Sequence, residues 1–295
     1  MNGQNSSNDV DAKRQAFTKK YRMFKRKLKI KDSVRLLMRR PGGLPGLIVI
    51  GAQKSGTTTL YRMMSQHPDM MGHPKKEIHY FNNNYFRGNR WYRTHFPDQD
   101  GRLFFDVTPD YLCHPYAAER MASEVPNAKL IVLLREPVSR ALSQYWMEYG
   151  RGEEHLGLQD AFAIEAERLS KYPEHSLRRP RAFSKAHFRN GYFWRGLYAA
   201  QLHEFYQFFD RQRVLVLRAE DFAMDPQSTF DQICDFASVP RYQPEYKRLN
   251  QSRVGNVFSK CPDVLRQQLA KRYQMPNAEL FRQDGIEWRD NTPGV

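Results

Sequence analysis

The stretch LIVIGAQKSGTTTLYRMM, residues 47–64, gathers a lysine, a serine and three threonines around a glycine, where an apolar run ends and a helical pattern begins. The first backbone N–H groups of a helix have no intrahelical partner, and the helix dipole adds partial positive charge there. Such a turn is suited to bind phosphate, and Lys54 would add a full charge. In nucleotide triphosphatases the lysine directly follows the second glycine. Here Lys54 precedes Gly56, so the loop predicts an anion site of another kind.

A second anion site is predicted within KLIVLLREPVSRALSQYW, residues 129–146. Arg135 comes at the end of an apolar run, and Ser143 lies two turns into the helical pattern that follows. A guanidinium fork matches phosphate, so the two side chains can converge on one anion. The alternative is structural, with Arg135 paired to Glu136 or Glu148. A ligand that carries two separated phosphates would favour the first interpretation.

A candidate acid–base pair occurs in KKEIHYFNNN, residues 75–84. Glu77 and His79 alternate, so on an extended segment they would face the same side. A carboxylate beside an imidazole, close to a phosphate loop, makes a general base with a supporting group. The alternative is that Glu77 pairs with Lys75 or Lys76 and that the histidine is structural.

Short apolar segments that alternate with helical patterns surround these candidates. Alternation of this kind predicts an α/β fold, a central parallel sheet flanked by helices. Ligands bind beyond the carboxyl ends of the strands in such sheets, which is where the candidate segments fall. The predicted strands are 47–51, 103–107, 130–134 and 214–217, and the predicted helices are 57–66, 115–124, 137–149, 196–209 and 226–237.

The net charge of +15 is concentrated at the start of the chain. Residues 1–40 hold 13 Lys and Arg against three Asp, a net of +10, which leaves about +5 for the remaining 255 residues. We therefore expect no nucleic acid partner. Apolar residues at helical spacing within 17–40 predict a basic amphipathic helix, which would contact an anionic membrane surface or partner, lie solvated, or dock on its own domain. The PGGLPG stretch separates this arm, residues 1–46, from a main domain at 47–290.

Cysteine usage and hydropathy indicate a compartment. The three cysteines are far apart and odd in number, so they predict neither a disulfide framework nor a metal site. No apolar run approaches the roughly 18 residues of a membrane span, and the N-terminus lacks the apolar core of a signal peptide. The expected location is the cytoplasm, with peripheral membrane attachment through the arm as an option.

Together these segments resemble the sulfotransferases that use 3′-phosphoadenosine 5′-phosphosulfate (PAPS). The resemblance is closest to the heparan sulfate type, both the glucosaminyl 3-O-sulfotransferases and the sulfotransferase domain of the N-deacetylase/N-sulfotransferases, and it runs from about Leu47 to Trp288. GAQKSGTTTLYRMMSQHPDM is similar to the 5′-phosphosulfate loop, LLREPVSRALSQY to the 3′-phosphate motif, and EIHYFN to the acidic segment that supplies the base. RGNRWYRTHFP and TPDYL recur in the family's order.

The resemblance implies a P-loop-like sheet, PAPS as the sulfuryl donor, adenosine 3′,5′-bisphosphate as the product, and no metal. Lys54 would stabilise the charge that develops on the departing phosphate oxygen. Glu77, ionised at neutral pH, would act as the base, with His79 orienting it or the acceptor. Tyr198 lies near this site or in the core. The donor-binding residues that the resemblance implies are Gln53, Lys54, Ser55, Gly56, Thr57, Thr58, Arg135, Ser143 and Arg253.

The acceptor that the resemblance implies is a carbohydrate hydroxyl or amine, on a polysaccharide, an oligosaccharide or a glycolipid. Val107 and Thr58 replace a lysine and an arginine that are common in heparan-type members, which argues against a highly sulfated acceptor. Cys261 has no partner for the family's late disulfide. The alternatives are sulfation of a protein tyrosine, a phenol or a lipid hydroxyl; a polyanion-binding protein with a degenerate nucleotide site; and a P-loop kinase, which the lysine position disfavours.

Overall fold

The computed structural model describes residues 41–97, 101–178, 184–246 and 260–288. The predicted amphipathic helix within 17–40 and the predicted donor contact of Arg253 lie outside these residues. Five strands form one sheet in the order β2-β3-β1-β4-β5, and every neighbouring pair is parallel. The α/β prediction is thereby confirmed. The strands are β1 (Leu47–Gly51), β2 (Met70–Gly72), β3 (Leu103–Val107), β4 (Lys129–Leu134) and β5 (Val214–Arg218).

Helices flank the sheet, and the five predicted helices are all present with ends that differ by up to three residues. The long C-terminal helix and the three-residue strand β2 were not predicted. The α-helices of the described residues are α1 (Thr57–Met64), α2 (Gly88–Arg93), α3 (Ala117–Glu124), α4 (Pro137–Gly150), α5 (Leu158–Ala163), α6 (Glu165–Ser170), α7 (Tyr198–Tyr206), α8 (Ala219–Met224), α9 (Pro226–Ala237) and α10 (Asp263–Asp284).

The core lies on both faces of the sheet. Successive side chains of a strand point to opposite faces, so Ile48 and Ile50 of β1 pack into one apolar cluster while Leu47 and Val49 pack into another. All four side chains are fully buried. A strand covered on both faces reads as a continuous apolar run rather than an alternating one, which is why β1 was recognisable in the sequence.

The strand register brings three loops to one edge of the sheet. The Ala52 N–H donates to the Leu133 carbonyl at 2.7 Å, which joins the end of β1 to the end of β4. The Glu77 N–H donates to the Val107 carbonyl at 3.1 Å, which fixes the acidic segment beside the end of β3. The three predicted site segments are therefore neighbours.

Candidate active site

The loop between β1 and α1 turns sharply at two residues. Gly56 is the N-cap of α1 and has φ 90°, a left-handed conformation that glycine adopts without steric cost. Lys54 also has a positive φ, 73°. The first turn of α1 contains no acidic side chain, so no carboxylate of that turn competes with an anion at the start of the helix.

Two buried polar atoms of this loop are left without partners. The Ser55 side chain is 2% exposed, and its hydroxyl forms no hydrogen bond in the described part of the chain. The same holds for the buried Oε1 of Gln53. Buried polar atoms are nearly always hydrogen-bonded in folded proteins, and Ser55 stands next to the start of α1. The loop therefore fits a bound phosphate group, for which a serine hydroxyl is a donor.

The Lys54 side chain extends from the loop toward α4. Its Nζ lies 3.6 Å from the sulfur of Met147, a weak hydrogen-bond acceptor that cannot neutralise an ammonium. Burial, together with the positive charges of Arg151 and Arg135, lowers the pKa of Lys54 to about 8. An anion placed here would favour the ammonium and raise this pKa again, so the lysine suits a negatively charged ligand.

Arg135 stands beside this lysine, at the end of β4. Its Nη1 donates to the Lys54 carbonyl at 3.4 Å, and its own carbonyl accepts the Tyr198 hydroxyl at 2.9 Å. Burial lowers the pKa of Arg135 from its usual value. Tyr198 is itself buried in the core, so it supports the strand end. Ser143 is buried on α4.

The alternative partners considered for Arg135 are engaged elsewhere. The Glu136 carboxylate caps α4 by accepting the N–H groups of Val138 at 2.8 Å and Ser139 at 2.6 Å. Glu148 pairs with Arg151 at 3.4 Å. The guanidinium donates to the loop at the Lys54 carbonyl, and the nearby charges of Glu220 and Glu136 favour its charged form.

Glu77 and His79 lie together, but for a reason other than the predicted one. Their side chains approach to 3.6 Å between Oε2 and Nε2. The prediction that the segment is extended is wrong, because both residues have left-handed backbones, with φ 68° and 56°. The chain turns here, and the Asn84 side chain holds the turn by donating to the Ile78 carbonyl at 2.9 Å.

A cation also contacts the carboxylate. The Lys76 ammonium donates to Glu77 Oε1 at 2.7 Å, so the alternative pairing with Lys76 coexists with the histidine contact. Burial alone would raise the pKa of Glu77, but the hydrogen bond with His79 and the charge of Lys76 outweigh it and hold the pKa well below the usual range. Burial likewise opposes a charged His79, yet the Glu77 contact and the charge of Asp110 raise its pKa.

Asp110 and Arg195 form an ion pair next to His79 that the sequence did not predict. Asp110 Oδ2 lies 3.8 Å from His79 Nδ1, and Oδ1 accepts from Arg195 at 2.5 Å. Asp110 belongs to the TPDYL segment already singled out, but no spacing signal connects it to Arg195. Asp106, at the end of β3, is also buried here. It accepts the hydroxyls of three residues, namely Tyr92, Thr108 and Tyr111.

The fold and this site define a known class. The family model for the sulfotransferase domain matches residues 44–256, and the chain belongs to that family. It is a sulfotransferase enzyme. A solved sulfotransferase from Alicyclobacillus acidocaldarius superposes with a TM-score of 0.69 and 26% identity, covering 83% of this chain and 98% of that one.

Curated relatives are about a quarter to a third identical to this chain within the aligned regions. The membrane-associated sulfotransferase kil1 of Dictyostelium discoideum is 28% identical over 79% of this chain and 67% of its own length. The human heparan sulfate glucosamine 3-O-sulfotransferase 6 is 30% identical over 67% of this chain, which spans about half of that relative. The bifunctional heparan sulfate N-deacetylase/N-sulfotransferase 1 of Caenorhabditis elegans is 26% identical over 81% of this chain and 29% of the relative.

The described residues contain neither a helix that could span a membrane nor a cluster of metal-ligating side chains. None of their helices is long and apolar enough to cross a bilayer. No group of three or more metal-ligating side chains is assembled within those ranges.

Proposed function

We propose that the protein transfers a sulfuryl group from PAPS to a hydroxyl or amine of a carbohydrate acceptor. The donor carries a 5′-phosphosulfate and a separate 3′-phosphate, and therefore needs two anion sites. The loop at Lys54 would hold the first, together with Gln53 and the residues from Ser55 to Thr58. Arg135 and Ser143 would hold the second, one strand away in the sheet.

Each site residue has a chemical task in this proposal. The donor, when bound, supplies an activated sulfuryl group. The half-buried ammonium of Lys54 would stabilise negative charge on the departing phosphate oxygen. The carboxylate of Glu77 would accept the proton of the acceptor, and His79 would hold that carboxylate in place. Asp110 would in turn orient the imidazole from its far side.

One observation carries the proposal: the anion loop and the acid–base pair share one site. Lys76 links them, because its ammonium contacts Glu77 and also the Thr57 hydroxyl at 3.4 Å. A kinase-like phosphate loop alone would not require a base–histidine pair at this place. The carbohydrate acceptor is supported by the heparan sulfate relatives, whose names give two different sulfated positions, a nitrogen and the 3-O position.

Calorimetric titration tests the donor site. Adenosine 3′,5′-bisphosphate should bind the wild type, and Lys54→Ala and Arg135→Ala should each weaken it while ATP binds poorly. Absence of binding to the wild type would refute the donor assignment. Competition between oligosaccharide and phenolic acceptors, with Glu77→Gln as the inactive control, would then separate carbohydrate sulfation from sulfation of a tyrosine, a phenol or a lipid.

The arm is a separate proposal. We propose that residues 1–46 attach the sulfotransferase domain at 47–290 to anionic membranes where glycolipid acceptors are available. One relative is membrane-associated by name. Sedimentation with anionic liposomes should be lost when residues 1–40 are deleted, and unchanged sedimentation would exclude this role for the arm.

A further inference from the structure

Lys76 occupies a position that none of the roles above explains. Its side chain is 15% exposed, and its ammonium lies between the two halves of the site. On one side it donates to Glu77 Oε1 at 2.7 Å, and on the other to the Thr57 hydroxyl at 3.4 Å. Thr57 is the first residue of α1, the end of that helix where an anion is expected.

The two contacts of this ammonium are unequal in the structure. The ammonium donates in both, but the short contact pairs it with the opposite charge of Glu77, whereas the longer one joins a neutral hydroxyl. An anion held at the start of α1 would bring negative charge to the Thr57 side of the same ammonium. A lysine side chain has a flexible four-carbon stem and three rotatable donors, so it can change partners without movement of the backbone.

Resting Glu77 is poorly placed to act as a base. One of its carboxylate oxygens is engaged by Lys76 and the other lies next to His79. An ion-paired carboxylate binds a proton less readily than a free one. Something must therefore release Glu77 before it takes a proton from the acceptor.

We propose that Lys76 provides this release: its ammonium moves from Glu77 to the anion bound at the start of α1, so that donor binding frees the base. The inference rests on the proposed function and deepens it. The acceptor proton then goes to Glu77, the acceptor oxygen or nitrogen bonds to sulfur, and the bond from sulfur to the bridging phosphate oxygen breaks, with its electron pair remaining on that phosphate beside Lys54. Lys76 is in this account a catalytic residue that contacts the donor, and not merely the counter-ion of Glu77.

Titration calorimetry with adenosine 3′,5′-bisphosphate tests the inference in a Glu77→Gln background, where the ammonium no longer has a carboxylate to hold it. Glu77→Gln alone should bind the bisphosphate more tightly than the wild type. Adding Lys76→Met should then weaken binding about tenfold, within the usual range of coupling between sites. Adding Lys76→Arg instead should keep most of the affinity of Glu77→Gln, because the positive charge is kept.

Lys75 supplies the matched control. It is the neighbouring lysine and is exposed, so Lys75→Met removes the same charge without the contact and should change the affinity less than twofold. If Lys76→Met in the Glu77→Gln background also changes the affinity less than twofold, Lys76 is only a counter-ion and the inference is overturned. The donor site is tested separately: the wild type should bind the bisphosphate, and Lys54→Ala should lose this binding. If both results hold while Lys76→Met has no effect, only the Lys76 inference fails, and the proposed function stands. Thermal unfolding of each variant verifies that it is folded.

Discussion

The affinity for adenosine 3′,5′-bisphosphate should fall as the pH rises through 8, because Lys54 loses its charge there. Burial is the main cause that lowers the pKa of this lysine to about 8 in the free protein. A bound anion favours the ammonium, so the pKa in the complex must be higher than in the free protein. The complex is therefore most stable below pH 8, and its extra stability disappears as the lysine deprotonates.

The size of the effect follows from the charged fraction. With a pKa of about 8, about nine tenths of the free protein carries the ammonium at pH 7 and about one tenth at pH 9. Because binding selects the charged form, the association constant should fall about tenfold between those values, or about 1.4 kcal/mol. The phosphates of the ligand, with a second pKa of about 6, change little across this interval.

Calorimetric titrations at half-unit steps between pH 7 and 9.5 would measure the slope. Lys54→Arg is the matched variant: it keeps the charge but does not titrate in this range, and it should bind with little pH dependence. Lys54→Ala should bind more weakly at pH 7 and also show a flat profile. A wild-type profile that is flat, or a slope that persists in Lys54→Arg, would refute the assignment of this titration to Lys54.

Three further outcomes are expected. Glu77→Gln should lower the transfer rate by about 10²–10⁴-fold, measured in single turnovers, without weakening the binding of adenosine 3′,5′-bisphosphate; a rate within a few-fold of the wild type would exclude Glu77 as the base. Arg195→Met leaves the partly buried Asp110 without its guanidinium partner and should lower the free energy of unfolding in urea by about 3–5 kcal/mol. Adding Asp110→Asn to this variant should recover part of the loss. Equal stability of Arg195→Met and the double variant would contradict this reasoning. Gly56→Ala should cost about 1–2 kcal/mol in the same assay, since φ is 90° there, and an unchanged unfolding midpoint would show that the loop relaxes.

The sequence was most informative where local chemistry is unusual. The apolar run of β1, covered on both faces, and the KSGTTT turn after it were readable because few sequences combine the two. Strand β2 was not predicted, since three residues at a sheet edge carry no periodicity. Helix α10 was missed for a related reason: of its 22 residues only Leu265, Leu269, Tyr273 and Leu280 are buried, which leaves a weak apolar stripe.

Contacts across the sequence were beyond such reasoning. Asp110 and Arg195 are 85 positions apart, and Lys54 and Met147 are 93 apart, so no spacing rule links them. Even the closeness of Glu77 to His79 was predicted from an extended segment, whereas two left-handed residues bring it about. Left-handed conformations are costly for non-glycine residues, cluster at functional sites and persist only where the surrounding structure holds them. Residue propensities therefore did not predict them.

The site as a whole is a product of strand order. Lys54 and Arg135 are 81 residues apart in the chain, yet they follow β1 and β4, which are neighbours in the sheet. Adjacent strands lie about 4.8 Å apart, so two basic side chains at their ends must share one small volume. Burial is the main cause that lowers the pKa of Lys54, and the positive charges of Arg151 and then of this neighbouring Arg135 add to it. On the other side of β1, the end of β3 is hydrogen-bonded to the acidic segment, which follows β2 in the chain. Exchanging the places of β3 and β4 in the sheet would keep every motif. It would, however, move Arg135 and the acidic segment each to the opposite side of the loop that follows β1. The motifs therefore identify the chemistry, and the strand order sets its geometry.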